Sequence, residues 1–272
     1  MSMATSTQAH TAQPARRRPL LMGLLGLLGA LSMSAATLTH AQPRAELTVS
    51  AAASLGPAYK ALAARFEAQN PGVQVRLNTA ASGTLVQQLA QGAPVDVLAT
   101  ADQESMDLAQ RQGLIQESSR HNVVGNTLVL VQAKGGAALG SLQALAQTKG
   151  VQRIAIGHAG SVPAGRWARA VLEQAGLWQA VQARLITTLN VRQALDYVLR
   201  GEVDAAFVYA SDIHGSQDRL GPMLPLGTPT PIRYAQAVTR HSQQPVWAQA
   251  WVSYSQSPAA LQLLRAHGFS AP

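Results

Sequence analysis

The chain has no cysteine among its 272 residues, which excludes disulfides, thiolate metal sites and cysteine nucleophiles together. Packing must therefore supply the stability. Histidine occurs, but in no His-Glu-x-x-His run and no paired spacing that would suit zinc. Gly-x-Ser-x-Gly is also missing, so Ser54 and Ser82 lack the setting of a serine nucleophile with a positioned base. Charged residues make up only 12% of the chain. Beyond the N-terminal segment, Lys and Arg are spread singly and form no basic stripe, which excludes a nucleic-acid footprint. No low-complexity segment or short-period repeat is present, and no helix-turn-helix precedes the first strand. The expectation is a binding protein, not an enzyme, with no resident cofactor, no metal of its own and no nucleic-acid partner.

What the sequence does contain starts with an export signal. Arg16, Arg17 and Arg18 precede an apolar, Gly-rich core from Leu20 to Leu31, and Thr39-His40-Ala41 ends in small residues suited to a signal peptidase. That core is too short for a membrane span. Residues 1–41 read as a signal peptide cleaved after Ala41, with Arg17-Arg18 leaving a twin-arginine route open. The segment carries three Arg and no acid, so its removal lowers the formal charge of +8 by three. A mild positive excess remains, which steers small anions over a distance. An exported chain without disulfides points to the periplasm.

Residues 42–272 have the length of one large α/β domain or of two lobes of about 100 residues each. Leu47 to Leu55 is an apolar strand followed by small residues and then Ser54, a candidate N-cap. Leu55, Tyr59, Leu62 and Phe66 beyond it share one helical face. The arrangement recurs: Val73 to Thr79 alternates as a strand and runs through Ala80-Ala81 into Ser82 and a second helix. Val95 to Thr100 and Gln103 to Gln112 add a third strand and helix. Strand then helix, repeated, predicts a parallel sheet with covering helices, and ligands of such sheets sit where the helix starts gather. A second set follows. Its strands are Thr127–Gln132, Arg153–Ile156 and Asp204–Val208, with helices opening at Ala164, after Pro163, and near Val191. The stretch from Gly221 to Pro231 reads as a Pro- and Gly-rich loop. The tail, a strand Ile232–Val238 and two helices, is expected to return to the first lobe.

Several stretches together resemble the periplasmic molybdate-binding proteins of bacterial molybdate ABC transporters. They are Ala51-Ala52-Ala53-Ser54-Leu55, Ser82-Gly83-Thr84-Leu85, Gly92-Ala93-Pro94-Val95-Asp96, Ala99-Thr100-Ala101-Asp102-Gln103, Gly125-Asn126-Thr127-Leu128-Val129, Val162-Pro163-Ala164-Gly165, Val191-Arg192 and Val208-Tyr209-Ala210-Ser211-Asp212. The resemblance implies a type II periplasmic-binding-protein fold: two lobes, each a mostly parallel sheet flanked by helices, joined by two crossover strands. Lobe 1 is expected at 42–124 plus 236–272 and lobe 2 at 125–235, with hinges near Val124-Gly125 and Tyr234-Ala235. It further implies molybdate as ligand, with tungstate close behind, and an inner-membrane permease as partner to a monomer. Ser54, Ser82 and Tyr209 would offer hydroxyls, and Ala164 and Val191 backbone N–H groups. Relatives often carry more serine around Ser82, an acid at Asn190, and Gly-Asp-Pro in place of Gly157-His158-Ala159. Sulfate, another oxyanion or ferric iron are the competing ligands. Arg166 and Arg192 beside the site read as solvated charges on helix faces.

Overall fold

A computed structural model describes residues 44–136 and 138–272. The expected signal peptide lies outside the described residues. Strand β1 (Ala45–Ala52) passes through a 3-10 turn, Ala53–Leu55, into helix α1 (Gly56–Gln69), and β2 (Val73–Ala80) runs into α2 (Ser82–Ala90). Then come β3 (Val97–Thr100), α3 (Gln103–Arg111), β4 (His121–Asn126) and β5 (Leu128–Ala133). The second half holds α4 (Ala144–Gln147), β6 (Ile154–Gly157), α5 (Pro163–Gln174), α6 (Trp178–Val181), β7 (Leu185–Thr188) and α7 (Val191–Leu199). Strands β8 (Ala205–Tyr209), β9 (Leu220–Leu226) and β10 (Ile232–Val238) lead to the tail helices α8 (Pro245–Ser255) and α9 (Pro258–Ala266).

These strands form two five-stranded sheets, in the orders β2-β1-β3-β10-β4 and β7-β6-β8-β5-β9. The fold is α/β and two-lobed. Each sheet is mixed but mostly parallel, as expected: β1 is parallel to β2 and β3, and only β10 is reversed, running antiparallel to both β3 and β4. The second sheet repeats this, with β6 parallel to β7 and β8 and β5 antiparallel to both β8 and β9. The physical reason lies in the connections. A chain that leaves one sheet on β4 and re-enters it on β10 lays those strands side by side in opposite directions.

The chain passes between sheets at Thr127 and again between Leu226 and Ile232. Tyr234-Ala235, the expected second hinge, lies inside β10, where the register with β4 slips. Gly125 is pinned from outside: it exchanges backbone hydrogen bonds with Ser270, and a Cβ there would collide with Ser270 and Ala271. Strand β9 was hidden in the sequence by Pro222 and Pro225. Both are tolerated because β9 is an edge strand, where a missing N–H breaks no ladder.

Apolar periodicity explains the packing. Leu55, Tyr59, Leu62 and Phe66 are all buried on one side of the first helical segment. Trp251 of α8 packs edge-on against Tyr59 and Phe66, with ring centroids 5.5 and 5.4 Å away. The tail thus returns to the first lobe. Among the described residues no helix is long and apolar enough to cross a membrane.

Candidate functional site

In both sheets the parallel strands end at one edge, where the chain turns into helices or loops. At the first such junction, Ser54 is not the N-cap that the sequence suggests. It lies within the 3-10 turn, and neither that turn nor α1 has a side-chain cap. Its hydroxyl instead sits 2.9 Å from the hydroxyl of Tyr234, both buried. A tyrosine enclosed in the core needs a polar partner, and Ser54 supplies it. At the second junction Ser82 is the first residue of α2. Fully buried, its oxygen accepts the Ala101 N–H at 2.9 Å. That bond occupies the oxygen from behind and leaves the serine's own proton to point elsewhere.

The second lobe builds its share from backbone. Helix α5 begins at Pro163, whose missing N–H is harmless in a first turn. Gly165 lets this turn press onto the end of β6, because a Cβ there would collide with the Gly157 carbonyl. The loop between, Gly157-His158-Ala159, is closed by Ser161 and Val162 N–H groups donating to the His158 carbonyl at 3.0 and 2.8 Å. Helix α7 begins at Val191 and is capped by Asn190, whose Oδ1 accepts from Gln193 N–H at 3.0 Å. Asn190 thus caps as an acid would, without adding negative charge. Neither Ala164 N–H nor Val191 N–H has a backbone or side-chain acceptor among the described residues.

Tyr209 closes β8. Its ring lies edge-on to Tyr234 at 5.8 Å between centroids, and its hydroxyl is buried with no hydrogen-bond partner among the described residues. Burial, reinforced by neighbouring negative groups, pushes both tyrosines well above the ordinary phenol range. They stay protonated and can donate.

Ser54, Ser82, Ala164, Val191 and Tyr209 line one small cavity, together with alanines, Val162, Pro163 and Asn190. Among the described residues no charged side chain lines it. The nearby arginines are not solvated face charges. Arg166, on α5, makes an ion pair with the buried Asp102 that caps α3, donates to Ser105 Oγ at 3.0 Å and reaches Glu104 at 3.2 Å. It ties the second lobe to the first. Gly83 N–H adds a second link, donating to the Ser161 carbonyl at 3.0 Å. Arg192 donates to the Asp212 carbonyl at 2.8 Å. The Asp212 carboxyl accepts Tyr209 N–H at 3.0 Å, and burial pushes it up to about 6 against the pull of Arg192. Sequence reasoning did not single out Tyr234, Asn126 or Asp102 as parts of this site. An aromatic hydroxyl in a buried strand was the one available signal for Tyr234.

The model of the bacterial extracellular solute-binding protein family matches residues 47–270. The molybdate-binding protein ModA of Escherichia coli (strain K12) is 32% identical over 231 residues, covering 83% of this chain and 89% of its own. A putative ABC transporter substrate-binding lipoprotein, YvgL of Bacillus subtilis (strain 168), is 30% identical over 235 residues, 86% of this chain and 89% of its own. Among solved structures, the periplasmic molybdate-binding protein of Azotobacter vinelandii superposes with a TM-score of 0.75 at 26% identity, covering 83% of this chain and 99% of that one.

Proposed function

The chain belongs to the bacterial extracellular solute-binding proteins, and from that premise we propose that it captures molybdate between its lobes and delivers it to an ABC permease. The ligand set we propose is the hydroxyls of Ser54, Ser82 and Tyr209 with the backbone N–H groups of Ala164 and Val191. The observation that carries this reading is the Tyr209 hydroxyl, buried without a partner at a cavity bordered by unaccepted helix-start amides. An orphaned buried donor costs about 1–3 kcal/mol, and a bound acceptor would recover it.

Molybdate is a tetrahedral dianion with acceptor oxygens and no proton. Taking such a charge out of water costs tens of kcal/mol in an idealised estimate, while each hydrogen bond to it returns roughly 1.5–3 kcal/mol net. Several fixed donors must therefore converge, and helix starts provide them together with a favourable dipole. Such a site disfavours hydrogen phosphate, because the backbone donors cannot accept its proton and a hydroxyl that did so would withdraw its own donation. Sulfate is rejected by size, and tungstate, nearly equal to molybdate in radius, binds alike. Ferric iron fits less well. The fold does bring Tyr209 and Tyr234 together, but burial opposes the phenolates that iron would need, and among the described residues no group of three or more His, Cys, Asp or Glu is placed to hold a metal ion.

We place the mature protein in the periplasm after cleavage at Ala41, as a monomer that closes over its ligand by motion at the two crossings. Thermal denaturation with a panel of oxyanions tests the ligand. Molybdate and tungstate at 100 times Kd should each add about 2.7 kcal/mol of stability. A shift with sulfate and none with molybdate overturns the assignment.

A further inference from the structure

Ser54 and Ser82 stand in corresponding places but are backed differently. The Ser82 oxygen accepts a rigid backbone N–H, that of Ala101, so its proton direction is fixed by the fold. The Ser54 oxygen meets another hydroxyl, Tyr234, and either of the two can be the donor. Which way that bond points decides whether Ser54 gives a proton to the cavity or offers a lone pair.

Asn126 settles the direction. Its side-chain oxygen accepts Thr127 N–H at 2.9 Å and, more weakly, Ser211 N–H at 3.4 Å, which orients the amide. The NH2 group must then donate, and it does so to Ser211 Oγ at 2.8 Å and to the Tyr234 hydroxyl at 3.0 Å. Tyr234 is fully buried. With its oxygen already accepting from Asn126, its own proton has one remaining partner among the described residues, the Ser54 oxygen. Were Ser54 to donate instead, the Tyr234 proton would be left buried and unpaired.

We propose that Asn126 and Tyr234 form a directional hydrogen-bond relay that holds Ser54 as a pure donor, making Tyr234 a positioning residue for discrimination between unprotonated and protonated oxyanions. This rests on the cavity being the anion site. The relay starts at the crossing between lobes and ends at the ligand position. With Tyr234 in place, each serine oxygen already accepts one hydrogen bond from behind, so its own proton is the group it turns to the ligand and acceptance of an anion's proton is disfavoured at both serines. Without it, Ser54 can rotate, keep its proton off the ligand and accept the proton of hydrogen phosphate.

The test compares sulfate with inorganic phosphate at pH 8, where phosphate is chiefly the singly protonated dianion, so that size and charge match and the proton differs. Calorimetric displacement of molybdate gives both affinities for the wild type, Tyr234→Phe, Ser54→Ala and the double variant. Tyr234→Phe should move the phosphate-to-sulfate affinity ratio toward phosphate by about tenfold, the equivalent of about 1.4 kcal/mol. The shift should vanish in the Ser54→Ala background. Asn126→Asp provides a second route should Tyr234→Phe not fold. Its carboxylate accepts from Tyr234, turns the relay around and should move the ratio the same way. An unchanged ratio in the folded variants, or a shift that persists without Ser54, overturns the relay. Failure of the wild type to bind molybdate at all overturns the functional reading instead, so the two failures are distinct.

Discussion

The two sheets repeat one topology, yet the two lobes equip the cavity by different means. The first lobe contributes serine hydroxyls, each already hydrogen-bonded within the protein: Ser82 with Ala101 N–H and Ser54 with Tyr234. The second contributes helix-start N–H groups and the Tyr209 hydroxyl, which have no acceptor among the described residues. Donors of the first kind belong to the fold whether or not a ligand is present. Those of the second kind have no partner among the described residues, and in the proposed binding mode the ligand supplies it. Stability and affinity should therefore separate between lobes.

The largest effect is expected where the second lobe's backbone is displaced. Gly165→Ala forces the α5 start away from the Gly157 carbonyl. Overpacking of this kind costs about 1–3 kcal/mol, and the shift also moves the Ala164 amide off the cavity. Molybdate affinity should fall by about 100-fold or more, equivalent to about 2.7 kcal/mol, with a lower melting temperature. Calorimetry and a thermal melt measure both, and unaltered affinity would mean that this helix start is not part of the site.

A sharper comparison pairs Ser82→Ala with Tyr209→Phe. Either removes one donor to a charged ligand, worth about 1.5–3 kcal/mol, so both should lose roughly 10- to 150-fold in affinity. The empty proteins should differ. Ser82→Ala strands the Ala101 N–H in the core and should cost about 1–3 kcal/mol of stability. Tyr209→Phe deletes a hydroxyl that had no partner and should leave the empty protein's melt unchanged or raised. Equal destabilisation by both would break the distinction between lobes.

Asp212, beneath Tyr209, makes a smaller, pH-dependent difference. Its folded pKa of about 6 lies above its ordinary 3.8, so the native state binds the proton more tightly than the unfolded chain does. The stability gained from that proton is fully present below about pH 4 and is lost as pH rises through 6. Asp212→Asn lacks this loss and can still accept Tyr209 N–H. It should melt a few degrees above the wild type at pH 7, with the gap closing by pH 4. A gap that is constant with pH would show that Asp212 is not the group titrating.

Much of this was legible in the sequence because strand-to-helix junctions are local. The apolar face of the first helical segment, the Pro163 helix start and the return of the tail can all be read from spacing and composition. What was not legible depends on residues far apart in the chain. Ser54 looks like an N-cap because serine after a strand usually is one. Only Tyr234, brought back on β10, shows that its hydroxyl is engaged elsewhere. The mostly parallel sheets were legible from the alternation of strand and helix, but that alternation carries no record of the two crossings, which place one reversed strand, β10 or β5, in each sheet. Prolines in β9 mimic a loop until the strand is seen to lie on an edge.

Arg166 shows the same limit and yields the smallest of the expected effects. On a helix one expects an arginine to be solvated, but this one reaches across to Asp102 and Ser105 of the other lobe. It borders the cavity without lining it, so it has no direct contact to lose with the ligand. In the proposed closure it would contribute to the equilibrium between open and closed lobes, and a ligand's apparent affinity scales with the closed fraction. Arg166 keeps a fifth of its side chain in water and the buried Asp102 still accepts the Ser105 N–H without it, so the pair is worth about 1 kcal/mol to closure, and Arg166→Met should weaken molybdate binding by about fivefold. Association begins in the open form, where the pair is not made. The loss should therefore appear in the dissociation rate measured by stopped-flow, with the association rate and its salt dependence little changed. A fall confined to the association rate would mean that Arg166 acts by attracting the anion through space, and the second lobe would then supply charge as well as backbone.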